Sequence, residues 1–102
     1  MAVAFIQEWQ IQGDDRTTTN YDTVTERLNT RDDPPEGGIV HTAGFDEEAG
    51  VFRVFDVWET REHGERFLRD RLMPIVHELA ADRPSARQPD RQGWYELHDL
   101  MK

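Results

Sequence analysis

The chain has 102 residues, enough for a single domain over 1–102, and at that size folding removes only about two-thirds of the unfolded chain's surface from water. A balance of 21 acidic against 12 basic residues gives a net charge of −9, which repels phosphate backbones and anionic lipid, so neither nucleic acid nor a membrane surface is expected as a partner. The absence of cysteine excludes disulfides, thiolate catalysis and thiolate metal sites; the longest apolar run, Met1 to Ile6, is too short for a membrane span, and a cytoplasmic protein is expected.

Ala2 to Trp9 reads as a strand ended by Gly13-Asp14-Asp15. Thr17 to Asn20 offers helix N-caps, and Thr23-Val24-Thr25-Glu26 has the form of a capping box for a helix that starts late. Tyr21, Val24 and Leu28 then give that helix one apolar stripe. Two adjacent prolines and two adjacent glycines between Asp32 and Gly38 end it. Ile39 to Phe45 and Val51 to Trp58 flank a short turn containing Gly50, which predicts a hairpin. Arg61 to Ala80 carries an apolar stripe of Phe67, Leu68, Leu72, Ile75, Val76 and Leu79. Its wet side offers the i,i+4 pairs Arg61/Glu65, Glu62/Arg66, Glu65/Arg69 and Arg66/Asp70. Pro74 lies inside this helix and predicts a kink after Leu72. Asp82 to Arg91 is a polar loop, and Gly93 to Met101 is a closing strand.

Strand, helix, hairpin, helix, strand is the order of an α+β, ferredoxin-like β-α-β-β-α-β fold. It predicts a four-stranded antiparallel sheet with two helices on one face. In the third strand Val51, Phe55 and Val57 point one way while Phe52, Val54 and Trp58 point the other, so both faces are apolar. Two helices cover one face only, and a second copy of the chain is expected to cover the other, making a homodimer. On that reading Phe52 and Trp58 are interface aromatics.

Several stretches resemble the dimeric α/β-barrel superfamily, and within it the antibiotic-biosynthesis-monooxygenase type. They are Phe5-Ile6-Gln7-Glu8, Tyr21-Asp22, Gly38 to Gly44, Val54 to Glu59, Arg71-Leu72-Met73-Pro74 and Glu96-Leu97-His98-Asp99. The resemblance covers nearly the whole chain and implies the dimeric α/β-barrel form of the fold. Its members include cofactor-free oxygenases, polyketide cyclases, isomerases and haem-degrading enzymes, and no short motif here selects one. The haem-degrading pattern of a strand asparagine with a helix histidine is not present.

Across the hairpin, a four-residue loop at Glu47 to Gly50 sets Ala43 opposite Val54, His41 opposite Asp56, and Ile39 opposite Trp58. His41, Asp56 and Trp58 then share a face, with Val40, Phe55 and Val57 turned to the helices on the other. A carboxylate beside an imidazole raises its pKa and fixes its tautomer, which suits a general base or acid; the same pair also suits a purely structural hydrogen bond. His98 on the last strand points either into the same space or to solvent. Either Gln7 or Glu8 faces inward on the first strand, and Gln7 is preferred because it shares the phase of Phe5 and Trp9. Tyr21 anchors the start of the first helix, with its hydroxyl within reach of a pocket mouth. Trp58 walls a pocket or packs a core, Arg71 pairs with an acid, and His63 and His77 carry no signal. The histidine spacing does not form a metal site, and no nucleotide fingerprint is present, so no metal or cofactor is expected.

Taken with the resemblance, these residues imply a cofactor-independent enzyme of secondary metabolism, a monooxygenase or a cyclase. It would act on a hydrophobic, aromatic or polyketide-like molecule, with His41 and Asp56 catalytic and Trp58, His98, Gln7 and Tyr21 around the substrate. The other reading is a non-catalytic, small-ligand-binding or stress-associated barrel; a third is a purely structural dimer with a filled interior.

Overall fold

The computed structural model describes residues 1–101, and its elements follow the predicted order. β1 (Val3–Gln10), β2 (Gly38–Asp46), β3 (Val51–Trp58) and β4 (Arg91–Glu96) form one antiparallel sheet in the order β2-β3-β1-β4. This is the ferredoxin-like arrangement, with the first and third strands central. α1 (Thr19–Leu28) links β1 to β2. Between β3 and β4 a helical rod comprises α2 (Arg61–Phe67), a π-helical turn at Leu68–Leu72 and α3 (Met73–Asp82).

The hairpin between β2 and β3 turns on Gly50, whose φ of 72° suits a residue without a Cβ. Its amide donates to the Asp46 carbonyl, and the Asp46 carboxylate accepts from the Ala49 amide. This fixes the register: Asp46 faces Val51, Ala43 faces Val54, and His41 faces Asp56. The expectation fails only at the far end. Gly38, not Ile39, opposes Trp58, because a bulge between Gly38 and Val40 leaves Ile39 unpaired.

Pairing across β1 sorts the side chains into two faces. Val3, Phe5, Gln7 and Trp9 stand opposite Trp58, Asp56, Val54 and Phe52 on β3, while Trp94 and Gln92 flank Phe5 and Gln7 on β4. The helices cover this face: Phe67 packs on Trp58 with ring centroids 5.2 Å apart, and Tyr21 meets Phe52 edge to face at 5.5 Å. Val3, Phe5 and Trp58 form a buried cluster here with Phe67, Leu68 and Trp94 against it. Gly64 lets α2 approach the sheet, since a Cβ at that position would lie 2.5 Å from the Trp94 ring.

The placement of the helices overturns one expectation. His41, Asp56 and Trp58 do share a face, but it is the helix-covered one. Phe52 and Trp58 therefore pack under helices rather than at a sheet-to-sheet interface. Two apolar faces on β3 left the choice open in the sequence, and the crossovers decide it.

The other face carries Ala4, Ile6, Phe55, Val57 and Val40, with Tyr95 49% exposed, and none of the described helices packs on it. Glu8 is buried there as a polar centre. Its carboxylate accepts from Arg53 Nε at 2.6 Å and from Arg91 Nη1 at 3.1 Å, and Arg53 also reaches Asp46 at 2.8 Å. Hydrogen bonding from Arg53 holds the Glu8 pKa below the ordinary carboxylate range against the opposing cost of burial.

The helices depart from expectation in detail. α1 starts at Thr19, so Thr23 and Glu26 lie inside it and form no capping box; the hydroxyl of Thr18 donates to the Asp22 carboxylate instead. The kink near Pro74 takes the form of a wide turn, in which the Met73 amide reaches back to the Leu68 carbonyl. Pro74 has no amide hydrogen for the Asp70 carbonyl, and a wide turn just before it relieves the ring's clash with the preceding turn. Arg61/Glu65 and Glu62/Arg66 form as predicted in α2. Within the wide turn the spacing changes, and Arg69 pairs with its neighbour Asp70 at 2.8 Å. Arg71 reaches Asp33 as expected and also donates to the Leu28 carbonyl at the end of α1. β4 stops at Glu96, short of the predicted Met101; just past its end the Leu97 amide donates to the Ala2 carbonyl. None of the described helices is long and apolar enough to cross a membrane.

Candidate active site

Between the sheet and the helices lies an open cavity of about 860 Å³, within the range for small-molecule sites. Its walls are mostly apolar, with Phe45, Phe52 and Val54 from the sheet and Leu72, Val76 and Leu79 from the helical rod among them. A filled interior, the third reading of the sequence, does not match this space.

The polar centre is a chain of three side chains. His41 Nδ1 is hydrogen-bonded to Asp56 Oδ1 across the hairpin, and His41 Nε2 lies 2.7 Å from the Tyr21 hydroxyl on α1. The strand register places the first pair, and the stripe of α1 brings in the third member. The Tyr21 and His41 rings meet edge to edge with planes only 4° apart and centroids at 6.2 Å, while Phe52 supports the tyrosine ring from the side.

The electrostatics follow from this geometry. The hydrogen bond to Asp56 raises the His41 pKa, its charge adds to the effect, and partial burial opposes it. With Asp56 ionised and His41 neutral, Nδ1–H donates to the carboxylate and the Nε2 lone pair accepts from the Tyr21 hydroxyl. Proton uptake at Nε2 then gives an imidazolium already partnered by a carboxylate. Asp56 has a side-chain exposure of 16% against 52% for His41, so the carboxylate is sequestered while the imidazole edge stays accessible.

Among the other predicted residues, Gln7 and Trp58 line the cavity, and Gln7 lies on the same face as Asp56. Trp9 lines it as well, with its indole N–H donating to the Arg87 carbonyl. His98 does not contribute: it lies beyond β4, is exposed and is absent from the cavity wall. His77 is exposed on α3, and His63 lies in the first turn of α2, its amide donating to the hydroxyl of the capping Thr60. Arg83 and Gln92 line the cavity without having been singled out. The stripe Leu72, Val76, Leu79, continued by four residues, lands on Arg83, so its phase was readable.

No family model matches the sequence, and no curated protein matches it. Solved structures do match in shape. SnoaB, a cofactor-independent oxygenase from Streptomyces nogalater, superposes with a TM-score of 0.64 at 16% identity, over 98% of this chain and 96% of that one. Rv0793 from Mycobacterium tuberculosis gives 0.67 at 11% identity over the full length of both chains. A candidate antibiotic biosynthesis monooxygenase from Caulobacter crescentus gives 0.67 at 12% identity, over 96% of this chain and 91% of that one. At these identities the likeness is one of fold, and this chain has the fold of the antibiotic-biosynthesis-monooxygenase-like ferredoxin-fold proteins.

Proposed function

We propose that this chain is a single-domain, cofactor-independent cytoplasmic enzyme that removes a proton from a hydrophobic, aromatic or polyketide-like molecule. The observation that carries this reading is the Tyr21–His41–Asp56 chain at the wall of a largely apolar cavity. An acidic C–H or phenol of the substrate gives its proton to the Tyr21 oxygen as the Tyr21 hydroxyl proton passes to His41 Nε2. The substrate keeps the electron pair, and Asp56 stabilises the imidazolium. The apolar walls keep water from the resulting carbanion.

Such an anion has two productive outcomes. With dioxygen, an activated CH2 becomes a carbonyl and one water is released, which is a monooxygenase reaction. Attack on an internal carbonyl closes a ring, which is a cyclase reaction. The similarity to SnoaB in fold favours the first.

Anthrone, a minimal aromatic ketone with an acidic CH2, tests this directly. The protein should accelerate deuterium exchange at that carbon without dioxygen, and oxygen uptake with dioxygen present, and His41→Ala should abolish both. Binding without either acceleration would instead indicate a ligand-holding barrel.

The working form is proposed to be a homodimer that covers the helix-free face of the sheet. Exposed Val40 and Tyr95, together with the half-buried Ile6 and Phe55, support it.

A further inference from the structure

Besides Tyr21, five charged or titratable side chains border the cavity: Asp15, His41, Asp56, Arg83 and Arg87. Four are engaged by complementary groups. Asp15 accepts from the Thr17 amide, Asp56 bonds His41, and Arg87 pairs with Asp90 at 3.0 Å. Arg83 differs. Its Nη1 donates to Asn20 Oδ1 at 3.3 Å and to Thr23 Oγ1 at 3.1 Å, both neutral, and no carboxylate lies within ion-pair distance among the described residues. This is notable in a chain with 21 acidic residues, nine of whose eleven arginines do find a carboxylate. The other exception, Arg31, is exposed, whereas Arg83 is half-buried.

Two features make Arg83 an organised donor rather than a stray charge. α1 holds one of its terminal nitrogens through Asn20 and Thr23, and Asn20 is itself tied to Ser85 at 3.3 Å. Arg83 is the C-cap of α3, its amide donating to the Leu79 carbonyl one turn earlier, and its side chain borders the cavity. Asn20 immediately precedes Tyr21, so the guanidinium is fixed to the same turn of α1 that supplies the hydroxyl on His41. A guanidinium with a fixed fork and neutral partners matches a carboxylate in shape and charge.

We infer that the ligand of this cavity carries a carboxylate, which Arg83 binds so that the rest of the molecule lies along the apolar walls towards Tyr21 and His41. The inference rests on the cavity being the ligand site, and it assigns Arg83 a role in recognition rather than in proton transfer.

2-Naphthoate and its methyl ester test it, since they share a ring system and differ in charge. Binding is read from quenching of Trp9 and Trp58, which border the cavity. The acid should bind roughly ten- to a hundredfold more tightly than the ester, as for a hydrogen-bonded charge pair, despite the net charge of −9. Arg83→Gln should remove that preference while leaving ester affinity within about twofold. Equal affinity of acid and ester for the unmodified protein overturns the inference without requiring any variant. So does a preference that survives Arg83→Gln and disappears in His41→Ala, which would place the anion at the imidazole. If neither compound binds, the cavity is not a ligand site and the proposed function falls with it. If the ester binds as well as the acid, Arg83 alone loses its role.

Discussion

The Tyr21 hydroxyl and His41 Nε2 lie 2.7 Å apart with their rings nearly parallel, so the nitrogen that would meet a substrate is already occupied by a phenol. Tyr21→Phe keeps the ring against Phe52 and removes only the hydroxyl. Its effect should therefore be chemical: exchange of the anthrone CH2 should slow by about a hundredfold or more, while thermal stability falls by only about 1 kcal/mol. A variant with unchanged exchange would remove Tyr21 from the proton path.

The Asp56–His41 pair makes activity and stability respond to pH in opposite directions. Asp56 raises the His41 pKa above its ordinary value of 6.5. The stabilisation from the charged imidazole is thus fully present below about pH 6.5 and is lost as pH rises through the folded value. Proton abstraction needs the neutral imidazole, so the rate should climb over that same upper range. In Asp56→Asn the rate limb should move to lower pH and the plateau should fall. The melting-temperature gap between the native protein and this variant should be widest near pH 6 and narrow above it. A gap that widened with rising pH would contradict the assignment.

Gly64 should tolerate no side chain. Alanine is intrinsically better in a helix by about 1 kcal/mol, but here its Cβ would lie 2.5 Å from the Trp94 ring and 3.0 Å from Trp58. Overpacking should win, and Gly64→Ala should lose about 1–3 kcal/mol in denaturant unfolding. Increased stability would mean that the helix stands further from the sheet than described.

Phe55 lies on the helix-free face, beside Arg53 in β3 and opposite Ile6 in β1. If a second copy covers that face, Phe55→Glu should place an unpaired charge in the interface and shift the mass by light scattering from twice 12.0 kDa towards 12.0 kDa. A native protein already at the lower mass would leave the face without its proposed cover.

Local patterns carried most of the fold. The alternation in β3, the glycine turn at Gly50 and the stripe from Phe67 to Leu79 were each legible, and together they set the hairpin register that joins His41 to Asp56. Which face of the sheet the helices cover was not legible. That depends on crossover handedness and on which strands become central, while β3 is apolar on both sides. The same gap hid the contact between Tyr21 and His41, since a helix residue and a strand residue 20 positions apart meet only once the layers are stacked. Arg83 was missed for a different reason: its position follows from the stripe, but its significance lies in the partners it lacks.

The wide turn at Leu68–Leu72 is equivalent to one residue more than an ordinary helix needs. Phe67 and Leu72 both border the cavity five positions apart, and Val76, Leu79 and Arg83 then continue at regular helical intervals. Shortening the chain by one residue at Asp70 would therefore keep α3 in phase while returning the Pro74 ring against the preceding turn. The same deletion placed after Met73 would rotate everything beyond it by about 100° and carry Arg83 off the cavity wall. The rod thus has one position where its length can change without altering what it presents to the cavity, and that position lies at the wide turn.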